Sequence, residues 1–271
     1  MTRPRRSEAS SPGRKARTSG VTWSCSPPPT APGARPTPDG DHPPTGDSPS
    51  ACPPTGPVLA AADAELLLDL LGEAQRRGFL GPGPIQAHLP HSLAFVRAWS
   101  LARTHPPHRL LDLGSGGGVP GLVLGRVWPE AHLILVDANL RRTAFLEEAA
   151  ARLDRPGRTD VLIGRAEELA HGQLRERCDY VTARGFGPPP VAAECAAGFL
   201  APEGLLAVAE PPTPESSRWP GEGLRRAALT AVGRVEDPAA VAVFRRHGPL
   251  DARLPRRVGI PAKRPLWSVA D

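Results

Sequence analysis

Leu110-Leu111-Asp112-Leu113-Gly114-Ser115-Gly116-Gly117-Gly118-Val119-Pro120-Gly121 decides the fold of this 271-residue chain. Arg109 to Leu113 is a short apolar run, the pattern of a buried parallel strand. A glycine turn follows at once. Pro120 suits the first turn of a helix, where its missing N–H costs nothing, and a helix is predicted over 120–128. Strand, glycine turn and helix open a nucleotide-binding βαβ unit, in which glycine lets the backbone pass close to a ligand.

Outward from that stretch, strand and helix periods alternate. Strands are predicted at 109–113, 132–137, 159–164, 179–183 and 204–209. Helices are predicted at 120–128, 140–153, 166–176, 190–200 and roughly 222–231. A late strand, Val241 to Arg245, is expected to pair antiparallel with one near 232–236. This alternation implies an α/β fold with a doubly wound, mostly parallel, seven-stranded sheet. Upstream, Ala64 to Arg77 reads as a helix with Leu67, Leu70, Leu71 and Ala74 on one face, Asp63 as its cap and Gly78 as its stop. A second helix is predicted from Ser92 to Arg103.

Composition divides the chain. Residues 1–57 hold 14 of the 35 prolines and carry a net charge of +3. Rich in Pro, Gly, Ser and Thr, they cannot bury enough surface to offset their ordering entropy, and a disordered tail is expected. Residues 58–271 are expected to form one domain, with N-terminal helices over 58–106 and an α/β core over 107–271. Residues 58–244 carry −3 and residues 245–271 carry +5. No run is long and apolar enough to span a membrane, and the tail lacks the apolar core of a secretory signal. Cys25, Cys52, Cys178 and Cys195 form no C-x-x-C pair, which fits inert thiols in a reducing cytoplasm. His88-x-x-His91 and His105-x-x-His108 have no cysteine or carboxylate at matching spacing, so they read as turn or capping histidines and no metal site is expected.

Open α/β sheets bind ligands beyond the carboxyl ends of their strands. Gly116-x-Gly118-x-x-Gly121 matches the dinucleotide fingerprint by letter, which keeps a nicotinamide-dependent oxidoreductase as an alternative. The spacing Asp112-x-Gly114-x-Gly116-x-Gly118, however, resembles motif I of class I S-adenosylmethionine (SAM) methyltransferases. Asp137 closes the next strand, where a carboxylate can accept both ribose hydroxyls. Ala166-Glu167 follows the third strand and can set an N–H and an acceptor beside an adenine edge. Arg184 follows the fourth and can reach a cofactor carboxylate or an RNA backbone, and Phe186 can stack on a base.

Residues 80–267 resemble the RsmG (GidB) family, bacterial methyltransferases of small-subunit ribosomal RNA. The likeness rests on Leu111 to Gly121, on Val136-Asp137 with Arg141-Arg142-x-x-Phe145-Leu146, on Arg165-Ala166-Glu167-Glu168 and on Ala183-Arg184-Gly185-Phe186. Pro255 to Leu266, with its Arg-x-x-Gly-x-Pro-x-Lys-x-Pro-Leu pattern, completes it. The resemblance implies an enzyme that uses SAM to methylate guanine N7 of 16S RNA; a cytoplasmic monomer is expected. It implies cofactor contacts at Gly114, Val119, Ala166, Glu167 and Arg184, to which the ribose argument adds Asp137. Guanine N7 bears no proton, so no general base is required and no catalytic residue is identified. The basic C-terminal segment, with Arg256, Arg257, Lys263 and Arg264, is expected to hold RNA phosphates. Two departures stand out. The N-terminal helices are shorter than the family's, and Glu210-Pro211 stands where the family carries Lys-Gly. That second departure keeps open a non-catalytic protein that binds ribosomal RNA.

Overall fold

A computed structural model describes residues 59–153, 155 and 157–269. The expected tail, with Cys25 and Cys52, lies outside the described residues. Among the described residues seven strands make one sheet: β1 (Arg109–Leu113), β2 (His132–Asp137), β3 (Thr159–Ile163), β4 (Cys178–Ala183), β5 (Leu200–Ala209), β6 (Leu229–Val235) and β7 (Val241–Arg246). Their order is β3-β2-β1-β4-β5-β7-β6. The first five run parallel, and β7 lies antiparallel between β5 and β6. The chain builds outward from β1 through β2 to β3, then crosses back to β4. That reversal opens a crevice above the carboxyl ends of β1 and β4.

Helices cover both faces: α1 (Ala61–Arg76), α2 (His88–Ser100), α3 (Gly121–Val127), α4 (Leu140–Arg152), α5 (Ala166–Leu169), α6 (Pro189–Ala197), α7 (Gly221–Arg226) and α8 (Ile260–Lys263). Side chains alternate across a strand. Leu111, Leu113, Ile134, Val136, Val181 and Leu206 thus join Ala193, Ala196 and Phe199 from the α6 side in one core. Toward α2 and α3, the Tyr180 ring lies 4.9 Å from Trp99 and 6.1 Å from Trp128, and its hydroxyl donates to Phe95 O at 2.7 Å. The C-terminal segment returns to the sheet. Trp267 is buried and its indole N–H donates to Arg218 O at 3.0 Å.

Several boundaries differ from expectation. Helix α2 begins at His88 because Pro90 falls within its first turn, where proline is tolerated. Pro120 sits at the N-cap of α3 rather than inside it. Asp63 lies in the first turn of α1, paired with Arg126, and is not its cap. Helix α5 has four residues, not eleven. The chain turns at Gly172, and Arg177 N–H reaches Phe199 O at 2.9 Å to start β4. Helix α7 ends at Arg226; Ala228 has positive φ and β6 begins at Leu229.

Candidate cofactor site

The loop after β1 is tied down by its own backbone. Gly114 and Ser115 N–H both donate to Val136 O at 2.9 Å, so the loop folds over the end of β2. Ser115 Oγ donates to Asp112 O at 2.8 Å and accepts from Val136 N–H at 3.1 Å. Gly118 has φ +91°, and a Cβ there would lie 2.3 Å from Leu122. A Cβ at Gly121 would lie 2.7 Å from Asp112 Oδ2. Side chains are excluded at both positions.

Asp112, 1% exposed, pins that loop from below. It accepts from Gly121 N–H at 3.1 Å and from Thr182 Oγ1 at 2.7 Å. Burial pushes its carboxyl up to about 6, against the opposing pull of those two hydrogen bonds. Asp137 does the same from the side. Its Oδ2 accepts from Gly116 N–H and its Oδ1 from Asn139 N–H, each at 2.9 Å. Asn139 in turn caps α4, accepting from Arg141 and Arg142 N–H. An ionised carboxylate has about four acceptor positions, so Asp137 can still take two hydroxyls.

Across the crevice, Arg184 Nη2 donates to His88 Nδ1 at 3.0 Å. The Phe186 ring lies so close to Gly114 that a Cβ on that glycine would sit 2.7 Å from it. Val119 and Ala166 are both buried. The expected residues Gly114, Val119, Asp137, Ala166, Glu167 and Arg184 therefore collect at the carboxyl ends of four adjacent strands, β3, β2, β1 and β4. Glu167 also has a structural contact that its motif did not reveal. Its Oε1 accepts from Gly259 N–H at 3.0 Å, so the carboxylate holds the C-terminal segment.

The expected phosphate contacts divide. Arg256 grips Glu194, which is 0% exposed: Nε donates to Oε1 at 2.8 Å and Nη2 to Oε2 at 2.6 Å. Nη2 also donates to Arg264 O at 2.7 Å. A guanidinium so occupied is a strut beneath the segment. Arg257, Lys263 and Arg264 are exposed. Glu210, the departure from the family's lysine, has its side chain 2% exposed at the end of β5. Arg218 Nε donates to it at 2.9 Å and Arg234 Nη1 stands 4.0 Å away, so two cations surround the carboxylate.

Sequence reasoning missed His88, taken for a turn or capping residue. It is 8% exposed and lies in the site. Cys178 and Cys195 are buried, and burial pushes the Cys178 thiol up to about 12. Among the described residues no group of three or more His, Cys, Asp or Glu could hold a metal ion, and no helix is long and apolar enough to cross a membrane. Two surface hollows lie at the opposite, amino-terminal edge of the strands. One is lined by His105, His108 and Asp179, the other by Arg109, His132 and Asp160. Neither touches the glycine loop.

This strand order, with a glycine loop after β1 and an acidic residue closing β2, is the architecture of class I SAM-dependent methyltransferases. A family model for GidB, rRNA small subunit methyltransferase G, matches residues 83–210. The ribosomal RNA small subunit methyltransferase G of Prochlorococcus marinus (strain MIT 9303) is 36% identical over 177 residues, covering 62% of this chain and 72% of the relative. Its counterpart in Roseiflexus castenholzii (strain DSM 13941 / HLO8) is 35% identical over 202 residues, covering 67% and 79%. A solved structure of a SAM-dependent methyltransferase from Aquifex aeolicus has a TM-score of 0.47 and 13% identity, covering 65% of this chain and 97% of that one. The chain belongs to the rRNA small subunit methyltransferase G family.

Proposed function

We propose that this protein transfers a methyl group from SAM to guanine N7 of 16S ribosomal RNA in the small subunit. The observation that carries the reading is the cradle itself. Backbone at Gly114 to Gly118 is folded onto the end of β2, with no room for a Cβ at Gly114, Gly117 or Gly118, and Asp137 stands at its rim. The residues fit an adenosyl cofactor. Asp137 has acceptor positions left for ribose hydroxyls, and Arg184 Nη1 is a buried donor with no protein partner, suited to a carboxylate.

When bound, the cofactor supplies an electrophilic methyl group. Guanine N7 already presents a lone pair and no proton, so no residue need act as a base. The chain's own contribution is positioning. Asp112 and Asp137 fix the loop, Phe186 packs against Gly114, and fixed backbone dipoles replace hydration around the reacting charge. Arg257, Lys263 and Arg264 offer three exposed cations to RNA phosphates, so RNA affinity falls as salt rises.

The test is incubation of the protein with labelled SAM and small subunits that lack the modification, followed by nucleoside analysis of the 16S RNA. Label in 7-methylguanosine is expected. No label, or label on another atom, overturns the assignment and separates an active enzyme from an RNA-binding protein.

A further inference from the structure

Arg184 and His88 form a hydrogen-bonded pair that leaves two buried nitrogens without a partner, Arg184 Nη1 and His88 Nε2. Arginine has donors and no acceptor and stays protonated in proteins. His88 Nδ1 must therefore carry the lone pair that receives Nη2–H. The imidazole is then neutral, with its own proton on Nε2. A buried donor lacking an acceptor is penalised, and a bound acceptor removes the penalty. His88 comes from the first turn of α2 and Arg184 from the end of β4, so the pair is built by tertiary structure, 96 residues apart. No role for His88 followed from the motifs above.

We infer that His88 is a positioning residue: as a neutral acceptor it holds the Arg184 guanidinium through Nη2, which keeps Nη1 available for the carboxylate of the methyl donor. This rests on the function proposed above. Protonated His88 loses its lone pair and becomes a second cation facing Arg184, so the arginine is released and the carboxylate grip weakens. Burial and the charges of Arg184 and His91, one turn along α2, all hold His88 below the usual histidine range. Asp112 of β1 acts on Arg184 in the opposite sense. The imidazole is thus neutral at physiological pH, and the grip fails only on acidification.

The experiment is calorimetry with two ligands. S-Adenosylhomocysteine carries the amino-acid carboxylate, and 5′-methylthioadenosine has the same nucleoside and thioether without it. Both are titrated into the wild type, His88→Ala and His88→Asn between about pH 5 and pH 8, spanning the histidine range. In the wild type, the ratio of homocysteine-ligand to methylthioadenosine affinity is expected to fall about tenfold from the neutral to the acid end, one pKa unit of differential interaction; taking the ratio cancels the titration of Asp112 beneath the loop that both ligands share. At neutral pH His88→Ala is expected to lose about the same factor for the first ligand alone. His88→Asn, whose Oδ1 can accept where Nδ1 does, is expected to restore affinity and flatten its pH dependence.

Equal loss for both ligands, or no loss for either, overturns the proposal. So does unchanged ligand binding with weakened RNA binding, which would assign Arg184 to a phosphate. Should His88→Ala not fold, the wild type and His88→Asn decide between them by the presence or absence of the acid fall. A wild type that binds neither ligand defeats the methyl-donor reading itself.

Discussion

The Glu167 carboxylate accepts the Gly259 N–H at 3.0 Å, joining α5 to the C-terminal segment across 92 residues of sequence. Burial alone would raise this carboxyl, but the Gly259 N–H, its own N–H and Arg165 outweigh burial and hold it below the usual range. A carboxylate lowered in the folded state stabilises at pH above its ordinary value, and that contribution disappears as pH falls through the lowered one. Glu167→Gln keeps an acceptor oxygen and loses the charge. We expect a loss of about 1 kcal/mol at neutral pH, the difference between a charged and a neutral hydrogen bond. Urea denaturation of both proteins should show that gap at pH 7 and close it in strong acid.

Asp137 joins loop and helix before any ligand arrives, through Gly116 and Asn139 N–H. Asp137→Ala therefore reaches beyond ribose recognition. Two charge-assisted hydrogen bonds vanish, at about 1.5–3 kcal/mol for each such bond before partial replacement by water. Lower thermal stability and lost S-adenosylhomocysteine binding should appear together. Asp137→Asn keeps one acceptor oxygen and should fall between the two. Unchanged affinity in either variant would remove Asp137 from the ribose site.

Arg256 and Arg257 are neighbours with opposite expected behaviour. Removing the buried partner by Glu194→Ala leaves the Arg256 guanidinium without its carboxylate. Breaking a buried pair costs about 3–5 kcal/mol, and the lower end is expected because the Arg256 side chain keeps 29% exposure. Arg257→Ala, on the exposed surface, should leave stability within about 0.5 kcal/mol. It should instead reduce the slope of log RNA affinity against log salt by about 1. Denaturation curves and filter binding at several salt concentrations separate the two effects.

Burial places the Asp112 carboxyl at about 6, above its value of 3.8 in an unfolded chain. Here the folded state binds the proton more tightly, so this residue's contribution to stability declines as pH rises between those values. The shift corresponds to about 3 kcal/mol across that window. Asp112→Asn cannot ionise and should lack that decline when melting temperature is followed from acid to neutral pH. It should also loosen the loop, because an amide offers one acceptor for Gly121 N–H and Thr182 Oγ1 together. A parallel pH profile in the variant would show that Asp112 does not titrate there.

The sheet was legible because each strand is a short apolar run closed by Gly, Pro or a charged residue, and alternation with helices left a parallel arrangement. Glycine spacing located the loop for the same local reason. Helix lengths were less legible. The periodicity over 166–176 spans four helical residues followed by turns through Gly172. The partners in pairings across the fold were not readable. Arg256 reads as one cation in a basic run, and nothing local reveals that Glu194 waits 62 residues upstream. A signal did exist in α6, where Glu194 is the single charge in an otherwise apolar helix, Pro189–Ala197. Such a residue needs a buried partner. His88 offered only a spacing to His91, and its partner lies just past the end of β4.

Glu194 and Glu167 leave the ribosome well before the residues that neutralise and bind them, since synthesis runs from the amino end. During that interval the Glu194 carboxylate on α6 awaits Arg256 and the Glu167 carboxylate on α5 awaits the Gly259 N–H. Residues 255–264 thus act as a keystone, and a translation product released before them would carry every strand of the sheet yet leave both carboxylates without these partners.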